Sequence, residues 1–349
     1  MTSKAAQRKK KLRFALIILI VGIVAFVSSV YIFIAPNIRL SNDQDEAFLY
    51  IYDNFTLEDV KKQLTDGGMI LNTGTFGMVA NILNYDERVR PGRYLLKEGM
   101  SNLSLVRRLR NGSQEAVKLT INNLRTKEQL IKFLSRELMA DSASLNNLLS
   151  NDSLIAGYGF NRDNIVSVFI PNTYEIFWDT DARELLDRMY KEYNRFWTNE
   201  RIEKAAAIPL TPTEVITLAS IVEEESNKRH EHPIIAGLYI NRLKIGMPLQ
   251  ADPTVRFSLN DFTIKRVLFG HLRNQSPYNT YRNKGLPPGP IRMPSIHVID
   301  AVLNYTHHDF LFMSAKETLN GEHNFARNGT EHMQNARKYQ QALDARGIR

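Results

Sequence analysis

The sequence predicts an α+β protein in three parts: an apolar helix near the N-terminus, a small strand–helix–helix–strand unit, and a larger mixed α/β domain. Three observations carry this expectation. Residues 14–35, FALIILIVGIVAFVSSVYIFIA, contain no charged side chain. Between 48 and 96, two β-rich stretches bracket two stretches with helical signals. Beyond about 118, helical periodicity dominates until a stretch over 246–296 rich in Gly, Pro, Asn and Tyr, the composition of ordered functional loops.

The first part sets the topology. About 20 apolar residues cross the hydrocarbon core as a helix, and 14–35 suffices. A cleaved signal would have an apolar core of roughly 7–15 residues and a small-residue cleavage site. This run is longer and ends in IFIAPNIRL, so a retained anchor is the better reading. Lys4, Arg8, Lys9, Lys10, Lys11 and Arg13 precede it with no acid, carrying +6 of the chain's net +8. The basic side stays cytoplasmic. The sequence therefore predicts a basic tail over 1–13, a span over 14–35, and a body facing outward from the cytoplasmic (inner) membrane. Only +2 remains for that body, which argues against nucleic acid as a partner. The chain has no cysteine, which excludes disulfides and thiolate metal sites and is compatible with export.

The elements follow in order. A polar linker, NIRLSNDQDEA, leads to the strand FLYIYD (48–53). Thr56 caps the next helix, with Asp59 in its first turn, Val60 and Leu64 on one face and Gly67 beyond its end. GTFGMVANILNY makes a second short helix and PGRYLL (91–96) a second strand. Ser101 starts a further helix that Asn111-Gly112 stops. EAVKLTI (115–121) alternates Val117, Leu119 and Ile121 as a half-buried strand should. Thr126 and Gln129 form a capping-box pattern. The domain boundary is placed near 115–120, giving a small unit over 36–117 and a larger domain over 118–349. In the latter, helices are expected around 141–150, 181–207, 212–228, 231–245 and 329–346.

Within LASIVEEESNKRHEHP (218–233), an apolar segment runs into three consecutive glutamates. On a helix at about 100° per residue, Val215, Ile216, Leu218, Ala219, Ile221 and Val222 define an apolar side. Glu224 falls opposite its centre and is expected to be solvated. Glu223 and Glu225 fall on the flanks, roughly 90° and 70° from the centre. Glu225 also lies over Leu218, Ile221 and Val222. A carboxyl at such a boundary loses hydration, which raises its pKa toward the range of a general acid. Glu runs at helix ends are most often solvent-facing. Both flanking carboxyls stay eligible, with Glu225 slightly ahead.

Downstream loops supply polar neighbours: Gln250, Asp252 and Thr254 in GMPLQADPTV; Asn279 and Tyr281 in PYNTYRNKGLPPGPI; and His323, Asn324, Arg327 and His332 in GEHNFARNGTEH. Amides, hydroxyls and aromatic rings suit a sugar-binding groove. Each alone is as well read as a turn or cap residue, and their grouping favours the groove. His230, His232, His307 and His308 lack the i, i+4 spacing of a helical zinc site and are read as solvated surface histidines, so no metal is expected. No G-x-S-x-G elbow, P-loop or dinucleotide fingerprint appears, and no cofactor is called for.

LASIVEEES, IAGLYINRLKIGMPLQADPTV, YNTYRNKGLPPGPI and HNFARNGTEH, in that order behind one apolar span, resemble the endolytic murein transglycosylases (the MltG or YceG-like family). FIPNTYEIFW (169–178) is similar to that family's FPDTY-type segment, with Asn172 where Asp is common, so no essential acid is implied there. The small unit resembles the family's LysM-like subdomain. The family's catalytic glutamate closes an A-S-I-[IV]-E-x-E segment, which here is Glu225. Asp252, Asn279 and Tyr281 lie in its shared loops.

The resemblance implies lytic cleavage of the β-1,4 bond after N-acetylmuramic acid inside peptidoglycan glycan strands, leaving 1,6-anhydro ends and limiting strand length. It implies partnership with membrane-bound peptidoglycan synthases. One acid with polar support suits a reaction that consumes no water, whereas a hydrolase normally uses two carboxylates. Asp252 keeps a hydrolytic muramidase open as an alternative, and a non-catalytic wall-binding scaffold is the alternative from another class.

Overall fold

The computed structural model describes residues 2–40 and 45–347. The linker expected over 37–47 falls partly on residues 41–44, outside those described. The chain divides into two compact units, 1–117 with 175–179, and 118–174 with 180–349.

In the first unit, Thr2–Ile34 is one helix (α1), of which Gln7–Ile34 is long and apolar enough to cross a membrane. The basic tail is thus continuous with the apolar run, because nothing between Lys9 and Phe14 breaks a helix. Glu46–Ile51 (β1) is followed by Leu57–Asp66 (α2), Thr73–Ile82 (α3), Gly92–Lys97 (β2) and Asn102–Asn111 (α4). β1 and β2 pair antiparallel, from Glu46 opposite Lys97 to Ile51 opposite Gly92. Thr56 and Asp59 form the full reciprocal capping box at α2. Ser101 caps α4, which ends on Gly112 at φ +69°, a left-handed position that glycine adopts without strain. Leu49, Ile51, Val60, Leu64, Phe76, Val79, Leu96 and Leu105 bury the faces that their spacing predicts. Below α1, the buried Asn37 and Asn102 side chains bond each other at 2.6 Å. Asn102 also donates to Ile32 O at 2.9 Å. The exit of the apolar helix is therefore fixed to the small unit by satisfied polar groups.

The second unit is mostly helical. Val117–Ile121 (β3) and Asn172–Ile176 (β4) have most of their residues here, and Phe312–Ala315 (β5) pairs antiparallel with His323–Ala326 (β6). The helices are Lys127–Glu137 (α5), Ser142–Leu149 (α6), Asp152–Ala156 (α7), Ala182–Phe196 (α8), Asn199–Ala207 (α9), Pro212–Glu225 (α10), His232–Lys244 (α11), Asp252–Ser258 (α12), Ile296–Leu303 (α13) and Gly329–Ala345 (α14). The helix expected over 181–207 is two, because Thr198 caps a new one by accepting from Arg201 N. The helix expected over 212–228 stops at Glu225, where Ser226 turns extended at φ −143°, ψ 138°.

α10 is the centre of this unit. Every residue from Val215 to Val222 is buried, so the helix is enclosed on all sides. It packs on α9, α11, α12 and α13. The close seat of α11 against the 306–310 segment depends on Gly237. A Cβ there would lie 2.4 Å from Thr306 O and 2.8 Å from His308 Nε2. Mid-helix Gly→Ala ordinarily stabilises by about 1 kcal/mol. Here overpacking against backbone reverses the sign, and Gly237→Ala is expected to lose about 1–3 kcal/mol in chemical denaturation.

Candidate active site

Because α10 is buried all round, its acidic end emerges inside the unit rather than into solvent. The three glutamates therefore each acquire a separate set of partners. Glu223 accepts from Ser295 N at 2.9 Å and from the Ser295 hydroxyl, capping the first turn of α13. Glu224 accepts from Arg292 Nη1 at 2.7 Å and Arg125 Nη2 at 3.0 Å, with Arg256 at 4.0 Å. Its side chain is only 10% exposed. The expectation that Glu224 is solvated is corrected: α12 and the 291–292 segment cover the face that the helix wheel alone leaves open. Its role is that of a buried anchor for three arginines.

Glu225 alone has no cation bonded to it. Its Oε1 accepts from the Tyr239 hydroxyl at 2.7 Å, and Tyr239, on α11, is 1% exposed. The residue keeps a small accessible surface, while its carboxyl is desolvated. Burial pushes its pKa up to about 7, and the negative charge of Asp252 adds to that rise. The Tyr239 hydrogen bond and the positive fields of Arg256 and Arg242 oppose it. Arg242 cannot swing to neutralise the carboxylate, since it is fixed to Leu311 O and Leu249 O, both at 2.6 Å. The result is a carboxyl poised to give and take a proton near neutral pH.

The backbone just after Glu225 is locked. Ser226 donates to Glu231 Oε2 at 2.7 Å, and His323 donates from its backbone N to Glu231 Oε1 at 2.7 Å, with its Nδ1 at 3.0 Å from Oε2. Burial works to raise the Glu231 pKa, but these hydrogen bonds prevail and hold it below the ordinary range. His232 is 3% exposed, with Nε2 at 2.8 Å from Ser226 O, and the His308 Nε2 lies 2.9 Å from Ile234 O. Neither is the solvated surface histidine expected, because tertiary packing turns both rings onto backbone carbonyls.

Of the loop residues, Asp252 and Tyr281 come together at the site. The Tyr281 hydroxyl donates to Asp252 Oδ1 at 2.6 Å, and the field of Glu225 reaches Tyr281 as well. Gln250 is exposed at φ +50° beside them in sequence, held through its N–H to Thr280 O at 3.1 Å. Thr254 and Asn279, expected to contact substrate, are turned into the unit. Both are 0% exposed. Thr254 Oγ1 bonds Ala251 O at 2.7 Å and the Thr280 hydroxyl at 2.8 Å. Asn279 donates to Leu272 O and Asn274 O and accepts from Tyr281 N. They pin the 250s and 280s segments together so that Asp252 and Tyr281 face each other. Asn324 sits on β6 with its amide on Glu317 at 2.5 Å, outside this hydrogen-bonded cluster. Tyr239, Arg242, Arg256 and Glu231 were not anticipated; an apolar helix such as IAGLYINRL gives no local sign that its tyrosine meets a carboxyl 14 residues away.

A cavity of about 570 Å³ lies at the opposite, N-terminal end of α10, lined by Leu210, Thr211, Glu214, Leu243, Lys244 and Pro287. Glu225 does not line it, so the site is defined by its chemistry rather than by this void.

The raised pKa predicts a stability signature. The unfolded carboxyl titrates near 4.5 and the folded one near 7, so the folded chain retains the extra proton between these values. Stability then falls as pH rises through that window. Glu225→Gln, which mimics the protonated form, is expected to match the wild type below pH 4.5. Above pH 7 it should exceed it by up to about 3 kcal/mol. Thermal melts of both across that range read the difference.

Comparison with known proteins gives a consistent result. Residues 49–338 match the YceG-like family model. An endolytic murein transglycosylase of Bacillus subtilis (strain 168) is 35% identical over 161 residues, 46% of this chain and 44% of the relative. One from Streptococcus pneumoniae serotype 2 (strain D39) is 25% identical over 333 aligned residues, 86% of this chain and 59% of the relative. The chain thus spans about half the length of these relatives. The crystal structure of a yceG-like protein from Listeria monocytogenes superposes with a TM-score of 0.54 at 24% identity, covering 83% of this chain and 98% of that one. The acidic helix end, its phenol and the two stapled loops all lie inside the matched span, and the chain belongs to the YceG-like family.

Proposed function

We propose that this protein is a membrane-anchored endolytic peptidoglycan lytic transglycosylase, with Glu225 as its one acid and base. The observation that carries this reading is a desolvated carboxyl, at the end of a buried helix, whose pKa stands at about 7 and which is bonded to Tyr239 rather than to a cation. Protonated Glu225 donates to the glycosidic oxygen after N-acetylmuramic acid as that bond breaks. The carboxylate then accepts the proton of the muramoyl C6 hydroxyl while its oxygen closes on C1. Atoms balance without water, and the products are a free 4-hydroxyl and a 1,6-anhydro end. Asp252 and Tyr281, with Gln250, line the approach to the carboxyl; Asp252 acts on it as a field and is itself engaged by the Tyr281 hydroxyl. The names of the curated relatives support the activity and the substrate.

The anchoring rests on α1, whose basic end remains cytoplasmic and whose apolar part spans the inner membrane. The order β1–α2–α3–β2 supports a LysM-like role for the small unit, as a glycan-gripping module. A tethered enzyme of this kind acts on strands as they leave membrane-bound synthases, its expected partners.

Digestion of purified murein sacculi tests the chemistry. Wild type should yield anhydro ends by mass, whereas reducing ends would assign the reaction to a hydrolase using Asp252 with Glu225. Glu225→Gln is expected to lower cleavage by about 10²–10⁴-fold while retaining glycan binding. Unchanged cleavage would remove Glu225 from the mechanism.

The pH profile should respond in opposite senses to two neighbours. An acid must be protonated to donate, so kcat/KM is expected to fall on the alkaline side through a pKa of about 7. Asp252→Asn removes a charge that raises this pKa and should move the limb to lower pH. Tyr239→Phe removes a hydrogen bond that lowers it and should move the limb to higher pH.

A further inference from the structure

The stretch 262–299 contains Lys265, Arg266, Arg273, Arg282, Lys284 and Arg292 and not one Asp or Glu. With +6 here and +6 in the tail against +8 overall, all other residues together are net −4. Arg292 is taken up by Glu224 and Glu223. The other five cations are exposed, and none is in an ion pair among the described residues. The positive charge of this segment is therefore left largely unneutralised.

The same segment displays apolar side chains to solvent. Leu268 is 57% exposed and Phe269 is 89% exposed, the highest exposure of any large hydrophobic side chain among the described residues. The tip is built rather than frayed. His271 Nδ1 accepts from Leu268 N at 3.1 Å, and His271 N donates back to Leu268 O at 2.9 Å. Both ends of the loop are fastened. Phe262 lies against Phe257 and under the Arg125 guanidinium at 5.0 Å. On the far side Asn279 holds Leu272 O and Asn274 O, and Asn274 donates to Ser258 Oγ at 2.8 Å. Asp261, the nearest acid in sequence, is occupied by Thr263. An ordered turn thus holds an aliphatic and an aromatic side chain outward, with Lys265 and Arg266 before them and Arg273 after.

That combination matches an anionic lipid surface. Apolar tips enter the headgroup–acyl boundary while flanking cations remain among the phosphates. Each cation near such a leaflet strengthens partitioning by about fivefold. A carboxylate-bearing glycan or peptide would use the cations but would leave Leu268 without an apolar surface to meet. We propose that the 262–274 loop is an interfacial membrane contact, which docks the catalytic unit on anionic phospholipid through Leu268 and Phe269. It rests on the reading of α1 as an anchor only in that the anchor would keep a bilayer within reach.

The chain's lack of cysteine allows a clean test. Full-length Phe269→Cys carrying an environment-sensitive fluorophore is reconstituted into vesicles of phosphatidylglycerol with phosphatidylcholine, and of phosphatidylcholine alone. The same label at Ile202, 45% exposed on α9 between charges of both signs, is the control. The expected result is a blue shift and quenching by spin-labelled lipid at 269, not at 202, in the anionic vesicles. Neutralising Lys265, Arg266 and Arg273 together to Gln should weaken it by up to about 100-fold. A label at 269 that stays in water in both vesicles overturns the proposal, as does one that shifts only when soluble glycan fragments are added, which would assign the loop to substrate. Flotation of the protein with vesicles reports the anchor separately, so failure of α1 to insert is distinguished from failure of the loop to dock.

Discussion

The structure of the second unit depends on the middle of α10 being enclosed on every side, so that its acidic end opens within the unit. Burying Val215 through Val222 on every side is favourable for the apolar residues and costly for the charges that follow them. Three carboxyls in a row must each be satisfied or change protonation. Two are satisfied: Glu223 by the start of α13, Glu224 by arginines from α12, the 291–292 segment and the turn before α5. Glu225 is left with a neutral phenol and a nearby negative charge, which is the electrostatic condition for a proton held near neutral pH. The costly burial of one acid is sustained by the full pairing of its neighbours.

Around this carboxyl the unit divides its polar residues between building and facing. Thr254, Thr280 and Asn279 are buried and bond to backbone and to one another, which makes two long connections act as one rigid piece. Asp252 and Tyr281 project from that piece. Behind the carboxyl, Glu231 receives Ser226 and His323, so the turn after Glu225 is fixed to the β5–β6 hairpin. On the proposed reading, such preorganisation means that the acid does not reorient as charge develops on it. The same stapling supports the exposed 268–269 tip, since Asn279 holds that loop's far end while its near end leans on the arginine that pairs with Glu224. Site and surface loop share one set of supports.

Much of this was legible in the residues. Helix starts at Thr56, Ser101 and Thr126, the stop at Gly112 and the two strands of the small unit follow from capping chemistry and alternation, which act within a few residues of chain. The apolar run before residue 35 and its basic flank are equally local. Glu225 was favoured over Glu223 by angular position alone, and the family resemblance selected the same residue. Gln250, Asp252 and Tyr281 stand out by the polar character of their loops, which gives no means of separating them from Thr254 and Asn279, residues of the same chemistry and the opposite exposure.

What the sequence determined by itself, then, was every feature fixed by neighbours along the chain: caps, strands, the apolar helix, and the boundary position of one glutamate. Only the tertiary structure decided which faces are covered. A helix wheel assigns Glu224 to solvent because it knows only its own helix, whereas α12 and Arg292 close over that face from 30 to 70 residues away. Tyr239 meets Glu225, and Glu231 meets His323, for the same reason. Burial and long-range hydrogen bonding are properties of the assembled core, and they turn three identical side chains into a cap, an anchor and an acid.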